Sequence, residues 1–159
     1  MHVLVLMGCA VGPPEPVPEP VPHWISRSDA ELQSALTQAC EASQVSQAPI
    51  LLEFSAPWCI DCRKLEALED EASLAGEYER WERLRIDVGR FDRHEALREA
   101  FGVYAIAHWV ALDPTQGCSS SAERWTRLKQ STIEIETGSL GPRTADDLVR
   151  WLQEARGQR

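Results

Sequence analysis

The feature that most constrains this chain is a junction in its first half, where an apolar run passes straight into a cysteine pair. Ile50-Leu51-Leu52-Glu53-Phe54-Ser55 follows Pro49 and is short and nearly continuous in apolar residues, the pattern of a buried strand. Trp58-Cys59-Ile60-Asp61-Cys62 comes next. From Cys59 the period changes to that of a helix, with Cys62, Leu65, Leu68 and Ala72 on one side and Glu66, Glu69 and Asp70 largely elsewhere. A thiol is a nucleophile only as thiolate, and unpaired N–H groups at a helix N-terminus stabilise that anion. Cys59 stands at such a terminus, and Cys62 lies one turn further along, close enough for a disulfide. Cys59 can then attack a disulfide, Cys62 can resolve the mixed intermediate, and Trp58 can shield the pair on one side. An inert disulfide, or two core cysteines, would leave unexplained why the pair opens a helix directly after a buried strand and a tryptophan.

The rest of the chain repeats the alternation. Ser28-Asp29-Ala30-Glu31 is a capping-box pattern ahead of Leu32, Ala35, Leu36 and Ala39, predicting a helix to about Ser43. Leu84, Ile86 and Val88 alternate with Arg85 and Asp87 as in a strand. Asp92-Arg93-His94-Glu95 reads as a cap leading into Ala96, Leu97, Ala100 and Phe101, with Gly102 as the stop. Trp109 to Leu112 reads as a strand, Thr132 to Thr137 as another, and Thr144 caps a last helix bearing Leu148, Trp151, Leu152 and Ala155. Helix, strand, helix, strand, helix, strand, strand, helix is an α/β order. It predicts a mixed central sheet of about four strands flanked by helices, the last two strands forming an antiparallel hairpin.

Ahead of this domain, predicted at 28–159, two further segments are distinguished. Residues 1–9 run Val3-Leu4-Val5-Leu6-Met7-Gly8 into Cys9, similar to a lipobox in which the cysteine is lipidated. The basic n-region is missing and the apolar stretch is short, as a start codon placed too far downstream would produce. The alternative is an unstructured terminus with an incidental cysteine. Residues 10–27 form a Pro-rich linker. Its eleven residues Gly12 to Pro22 alternate Pro with Val and Glu, and in polyproline II at about 3.1 Å per residue they span on the order of 34 Å. With 25 acids against 16 bases the chain carries a net charge of -9, which argues against a nucleic-acid partner. Of five cysteines only Cys59 and Cys62 have two-residue spacing, so a zinc ribbon, which needs a second such pair, is not expected. Cys40 and Cys118 are both expected at the pole away from the Cys59 junction, where a bridge is within reach if their Cα atoms lie within roughly 7 Å; otherwise they are one buried helix thiol and one surface thiol.

The run Ile50 to Lys64, with Trp58-Cys59-Ile60-Asp61-Cys62 at its heart, is similar to the active-site segment of the thioredoxin-like superfamily. The nearer likeness is to the periplasmic branch that includes C-terminal domains of DsbD-type interchange proteins. Val88 to Arg93, with Leu97 and Phe101-Gly102-Val103, looks like the second strand and following helix of some members. The resemblance implies a thioredoxin-like fold and a monomeric thiol-disulfide oxidoreductase without cofactor or metal. It would act in the periplasm or cell envelope on a protein disulfide, with electrons from an unidentified donor, and the lipobox-like pattern adds an anchor through Cys9. It places Glu53 where thioredoxins carry a buried acid beneath the disulfide; burial would raise its pKa and fit it for proton exchange with Cys62. The family's cis-proline is missing, since the corresponding run is Val103-Tyr104-Ala105-Ile106-Ala107-His108. A cis bond before a non-proline costs about 2.5–4 kcal/mol, so Ile106–Ala107 is expected trans. The same alignment points His108 at the disulfide, where it would tune the Cys59 thiol. Two other readings stay open: a Cu(I)-type site of the two thiolates and His108, as in Sco-like members of the fold, and a redox-inactive interaction domain.

Overall fold

The computed structural model describes residues 24–138 and 142–159; the expected lipobox with Cys9 and most of the expected linker lie outside them. The elements are α1 (Asp29–Ser46), β1 (Ile50–Ser55), α2 (Ile60–Leu68), α3 (Ala72–Tyr78), β2 (Glu82–Asp87), α4 (Glu95–Phe101), β3 (His108–Asp113), β4 (Thr126–Thr132) and α5 (Ala145–Arg156). The sheet order is β2-β1-β3-β4. β1 runs parallel to β2 across the α2–α3 crossover and antiparallel to β3, which pairs antiparallel with β4. The chain therefore has the mixed four-stranded sheet flanked by helices that its hydrophobic pattern predicts.

β1 is central and buried along its whole length, which explains its unbroken apolar run: a strand covered on both faces has no side to give to water. Ile50, Leu52 and Phe54 face one layer, with Leu32 and Leu36 of α1 and Leu97 and Phe101 of α4. Leu51 faces the other with Trp109, Leu65, Leu74, Leu148 and Leu152, contributed by β3, α2, α3 and α5. Burying a side chain of this size stabilises the fold by about 1.5–3 kcal/mol. Both expected helix starts at Ser28 and Thr144 form capping boxes, with Glu31 and Asp147 reaching back. The folded unit includes residues ahead of Ser28, because Trp24 packs against the second layer and Arg27 donates to the carbonyl of Arg85 at 3.0 Å.

Three local expectations are corrected. The helix after Cys59 breaks at 69–71 into α2 and α3. Asp92 is not the N-cap of α4; His94 occupies that position at φ 54° without a side-chain capping hydrogen bond, while Asp92 accepts from Arg90 N–H at 2.9 Å within a tight turn. The fourth strand is Thr126–Thr132, not Thr132–Thr137. β4 is an edge strand with Leu128 as its one buried residue, and polar, charged edges of this kind resist pairing with other chains but carry little hydrophobic signal.

At the pole where β1 begins, Cys40 and Cys118 are disulfide-bonded with Cα atoms 5.6 Å apart, tying α1 to the loop after β3. The topological expectation of a shared pole is met.

Candidate active site

β1 delivers the chain to the opposite pole. Cys59 is the N-cap of α2, in extended conformation (φ -76°, ψ 123°), and its Sγ accepts the N–H of Cys62 at 3.1 Å. The two cysteines are disulfide-bonded, with Cα atoms 5.2 Å apart. A capping position is normally held by an oxygen that accepts a free helical N–H; a sulfur in that place gains the same donor, more so as thiolate. Trp58 is half exposed, and its indole N–H donates to the carbonyl of Gly89 at 2.7 Å while its ring meets Phe91 at 6.1 Å. Gly89 sits at φ +59°, and a Cβ there would lie 2.2 Å from Asp92 Oδ1, so the turn that holds Trp58 requires glycine. Ile60 adds a second exposed apolar side chain beside the pair.

Ala107 packs with Cys59 and Cys62 and is buried. The Ile106–Ala107 peptide is cis, which corrects the expectation of a trans bond. The local preference of an isolated peptide is overridden here by tertiary surroundings: Ala107 fits within the cluster and its carbonyl accepts Ile133 N–H at 2.8 Å.

His108 is not brought to the disulfide. Strand side chains alternate between faces, and Ala107 and Trp109 take the disulfide side while Val110 and Leu112 take the α1–α4 side. His108 follows the latter, next to Phe54 and Thr132 in the sheet. Its Nδ1 lies 3.2 Å from Thr132 Oγ1, and its buried Nε2 has no protein partner. Burial, reinforced by Arg127, pushes its pKa down to about 4, so the imidazole is neutral at ordinary pH. The three-ligand arrangement of the alternative Cu(I)-type reading, Cys59, Cys62 and His108, is thus not assembled among the described residues.

Glu53 points to the layer of α2, but its surroundings are ionic where the sequence reading expects them apolar. Arg83 donates to its two oxygens at 2.6 and 3.2 Å, and Arg85 Nε lies 3.5 Å away. Arg83 also reaches Glu69 at 2.9 Å and lies over the Tyr78 ring, and Arg85 pairs with Glu69 as well. Burial opposes the charge on Arg83, but the pull of Glu53 outweighs it and raises the Arg83 pKa. Glu69, by contrast, is raised by burial and by the neighbouring charge of Glu53. The signal for this cluster was present: Arg83 and Arg85 alternate with Leu84 and Ile86, so both fall on one face, and Glu53 is in register with Arg85.

Sequence reasoning gives Asp61 only a charge that opposes the Cys59 thiolate and does not find its partners. Asp61 is only 4% exposed, and its carboxylate accepts from Glu136 N–H at 2.7 Å, Thr137 N–H at 3.2 Å and Thr137 Oγ1 at 2.6 Å. Burial works against its charge, but these hydrogen bonds prevail and hold the carboxyl below its ordinary pKa.

No protein-family model and no curated protein matches the sequence. Among solved structures the chain is similar to a disulphide isomerase from Xylella fastidiosa Temecula1, at 20% identity over 84% of this chain and 96% of that one, with a TM-score of 0.57. It is similar also to the DsbD C-terminal domain of Neisseria meningitidis in its oxidised form, at 23% identity over 81% of this chain and 97% of that one, with a TM-score of 0.55. The reduced form of the same domain gives 21% identity and a TM-score of 0.53. The chain has the thioredoxin-like fold, as its sequence resemblance implied. Among its solved likenesses stand DsbD C-terminal domains, with a cysteine pair of this chain placed at the start of the helix after the central strand.

Proposed function

We propose that this protein is a thiol-disulfide oxidoreductase that reduces or exchanges protein disulfides in the cell envelope, with Cys59 as the attacking and Cys62 as the resolving thiol. The observation that carries the reading is the position of the disulfide: Cys59 caps α2 and its sulfur already accepts the Cys62 N–H. In the reduced protein the Cys59 thiolate attacks a substrate disulfide. A bond forms between Cys59 and one substrate sulfur, and the other leaves as thiolate and takes up a proton. Cys62, deprotonated, then attacks Cys59; the Cys59–Cys62 bond forms and the second substrate sulfur leaves. Two electrons have passed to the substrate, and a partner dithiol must return them.

Trp58 covers one side of the pair in this reading. Glu53 remains the buried acid on the α2 side of β1, but two guanidiniums occupy its oxygens, so a proton reaches Cys62 from Glu53 only when that cluster opens. The second disulfide supports an oxidising compartment, where such bonds persist, and attachment through Cys9 would hold the domain near a membrane surface. Among the described residues no helix is long and apolar enough to cross one.

Turnover of a protein disulfide such as insulin, with dithiothreitol as donor, tests the reading. Wild type should accelerate reduction over dithiothreitol alone, and Cys62→Ser should accumulate a mixed disulfide on Cys59. Equal rates with and without the protein would exclude the activity.

A further inference from the structure

Asp61 stands between the two cysteines, yet its side chain is buried and its three hydrogen bonds all go to one distant segment. That segment, 133–137, leaves the sheet at the end of β4 and has no regular structure. Its other end is fixed as well, because Ile133 N–H donates to Ala107 O at 2.8 Å. Between the two ties, Ile133 is fully buried and Ile135 partly so, both packed into the cluster that contains Cys59, Cys62 and Ala107. The segment is therefore strung from the residue packed on the disulfide to the first turn of the helix that carries it.

An aspartate in the first turn of a helix gains from the helix dipole while fully hydrated. Burying it adds a desolvation cost that the dipole does not require. The burial makes sense only through what the carboxylate holds. A charge-assisted hydrogen bond contributes about 1.5–3 kcal/mol, and here one side chain supplies three. The exposed Lys64–Glu136 pair at 3.6 Å contributes little beside this. Flanking the pair, Trp58 and Ile60 are 46% and 41% exposed, whereas Cys59 and Cys62 are 5% and 2% exposed.

Resting on the proposed thiol-disulfide chemistry, we propose that Asp61 is a positioning residue: it fastens segment 133–137 as a strap along the redox pair, closing Cys62 from that side so that disulfide partners approach across Trp58 and Ile60. The strap confines the first attack to Cys59 and keeps Cys62 for resolution. An opened strap would let the two thiols compete for outside partners.

The test is mass-mapped iodoacetamide labelling of the reduced protein, together with amide exchange at Glu136 and Thr137. Asp61→Ala removes the clamp; Cys62 labelling should rise roughly tenfold or more and Cys59 labelling less than about threefold, with both amides losing protection. Asp61→Asn keeps an acceptor oxygen but no charge, so the remaining hydrogen bonds weaken and Cys62 labelling should fall between wild type and Asp61→Ala. Thr137→Val lies outside the helix, spares the carboxylate and should give an intermediate rise, so the idea stays open to refutation if Asp61→Ala does not fold. Unprotected amides with unchanged Cys62 labelling would overturn the strap, as would Asp61→Asn behaving like Asp61→Ala. These readouts need no turnover, so an inactive wild type would defeat the proposed function while leaving the strap to be judged by its own labelling.

Discussion

The two disulfides occupy opposite poles of one sheet and differ in the fate of the thiolate that each would release. Cys59–Cys62 closes a separation of three residues, and a thiolate on Cys59 meets a helix N-terminus and the Cys62 N–H. Cys40–Cys118 closes a separation of 78, and Cys40 lies inside α1, fully buried among apolar side chains. Reducing this second bond by attack on the half-buried Cys118 would expel the Cys40 thiolate into that cluster, where burial disfavours charge. Exposure alone does not separate the two bonds, since Cys118 is the most accessible of the four disulfide-bonded cysteines. What separates them is whether the structure has somewhere to put a negative charge. The chain-entropy account adds a second contrast: cross-linking across 78 residues stabilises by about 4–5 kcal/mol, against about 2 kcal/mol for the short loop.

The largest expected effect therefore falls on activity at one pole and on stability at the other. Cys59→Ser should reduce disulfide turnover to background while costing the oxidised protein about 2 kcal/mol in urea unfolding. Replacing Cys40 and Cys118 together with alanine should cost about 4 kcal/mol in urea unfolding and leave turnover per folded molecule near wild type. A double alanine variant as inactive as Cys59→Ser would break the division between a working and a structural bond.

Much of this contrast was legible in the sequence, and the failures follow a pattern. The buried strand, the helix opened by Cys59 and the common pole of Cys40 and Cys118 rest on period and topology, which local sequence encodes well. β4 escapes the pattern because an edge strand with Leu128 as its one buried residue looks like a polar loop. The alignment points His108 at the disulfide, but one step along a strand reverses orientation, and its side chain follows Val110 and Leu112. The ionic partners of Glu53 are readable from the alternation in β2. The partners of Asp61 are not, because the alternation of Thr132 to Thr137 predicts a strand, whose backbone N–H groups would belong to a ladder.

His108 gives a pH-dependent probe of the sheet between the poles. Its pKa is lowered from 6.5 to about 4 by burial and by Arg127, so the folded state favours the neutral ring. Above 6.5 the group is neutral folded or unfolded and has no effect on stability. As pH falls from 6.5 towards 4 the unfolded chain takes up the proton first, and stability drops, in total by about 3 kcal/mol. Wild type and the Cys40→Ala/Cys118→Ala variant should show the same slope in this window, offset by the disulfide contribution. His108→Gln should flatten both curves. Parallel curves for His108→Gln and wild type would show that the imidazole does not titrate as its burial implies.

The smallest expected effect concerns the charge beside the Cys59–Cys62 disulfide. Asp61 is held ionised by Thr137 and the backbone of 136–137 despite its burial, and it shares the α2 N-terminus with Cys59. Two anions at one helix end compete for the same N–H groups and the same dipole, an interaction worth about 0.3–1 kcal/mol. Asp61→Asn removes the competitor while keeping an oxygen for the strap. The Cys59 pKa, followed by thiolate absorbance in the reduced protein, should therefore fall by about 0.2–0.7 units, since one unit corresponds to about 1.4 kcal/mol. A better stabilised thiolate favours the dithiol form, so the couple should become more oxidising in equilibrium with glutathione. The Cys40–Cys118 bond, at the other pole, should show no change in its own equilibrium. A Cys59 pKa that rises in Asp61→Asn would mean that the carboxylate helps the thiolate, by ordering the N–H groups that receive it, more than its charge opposes it.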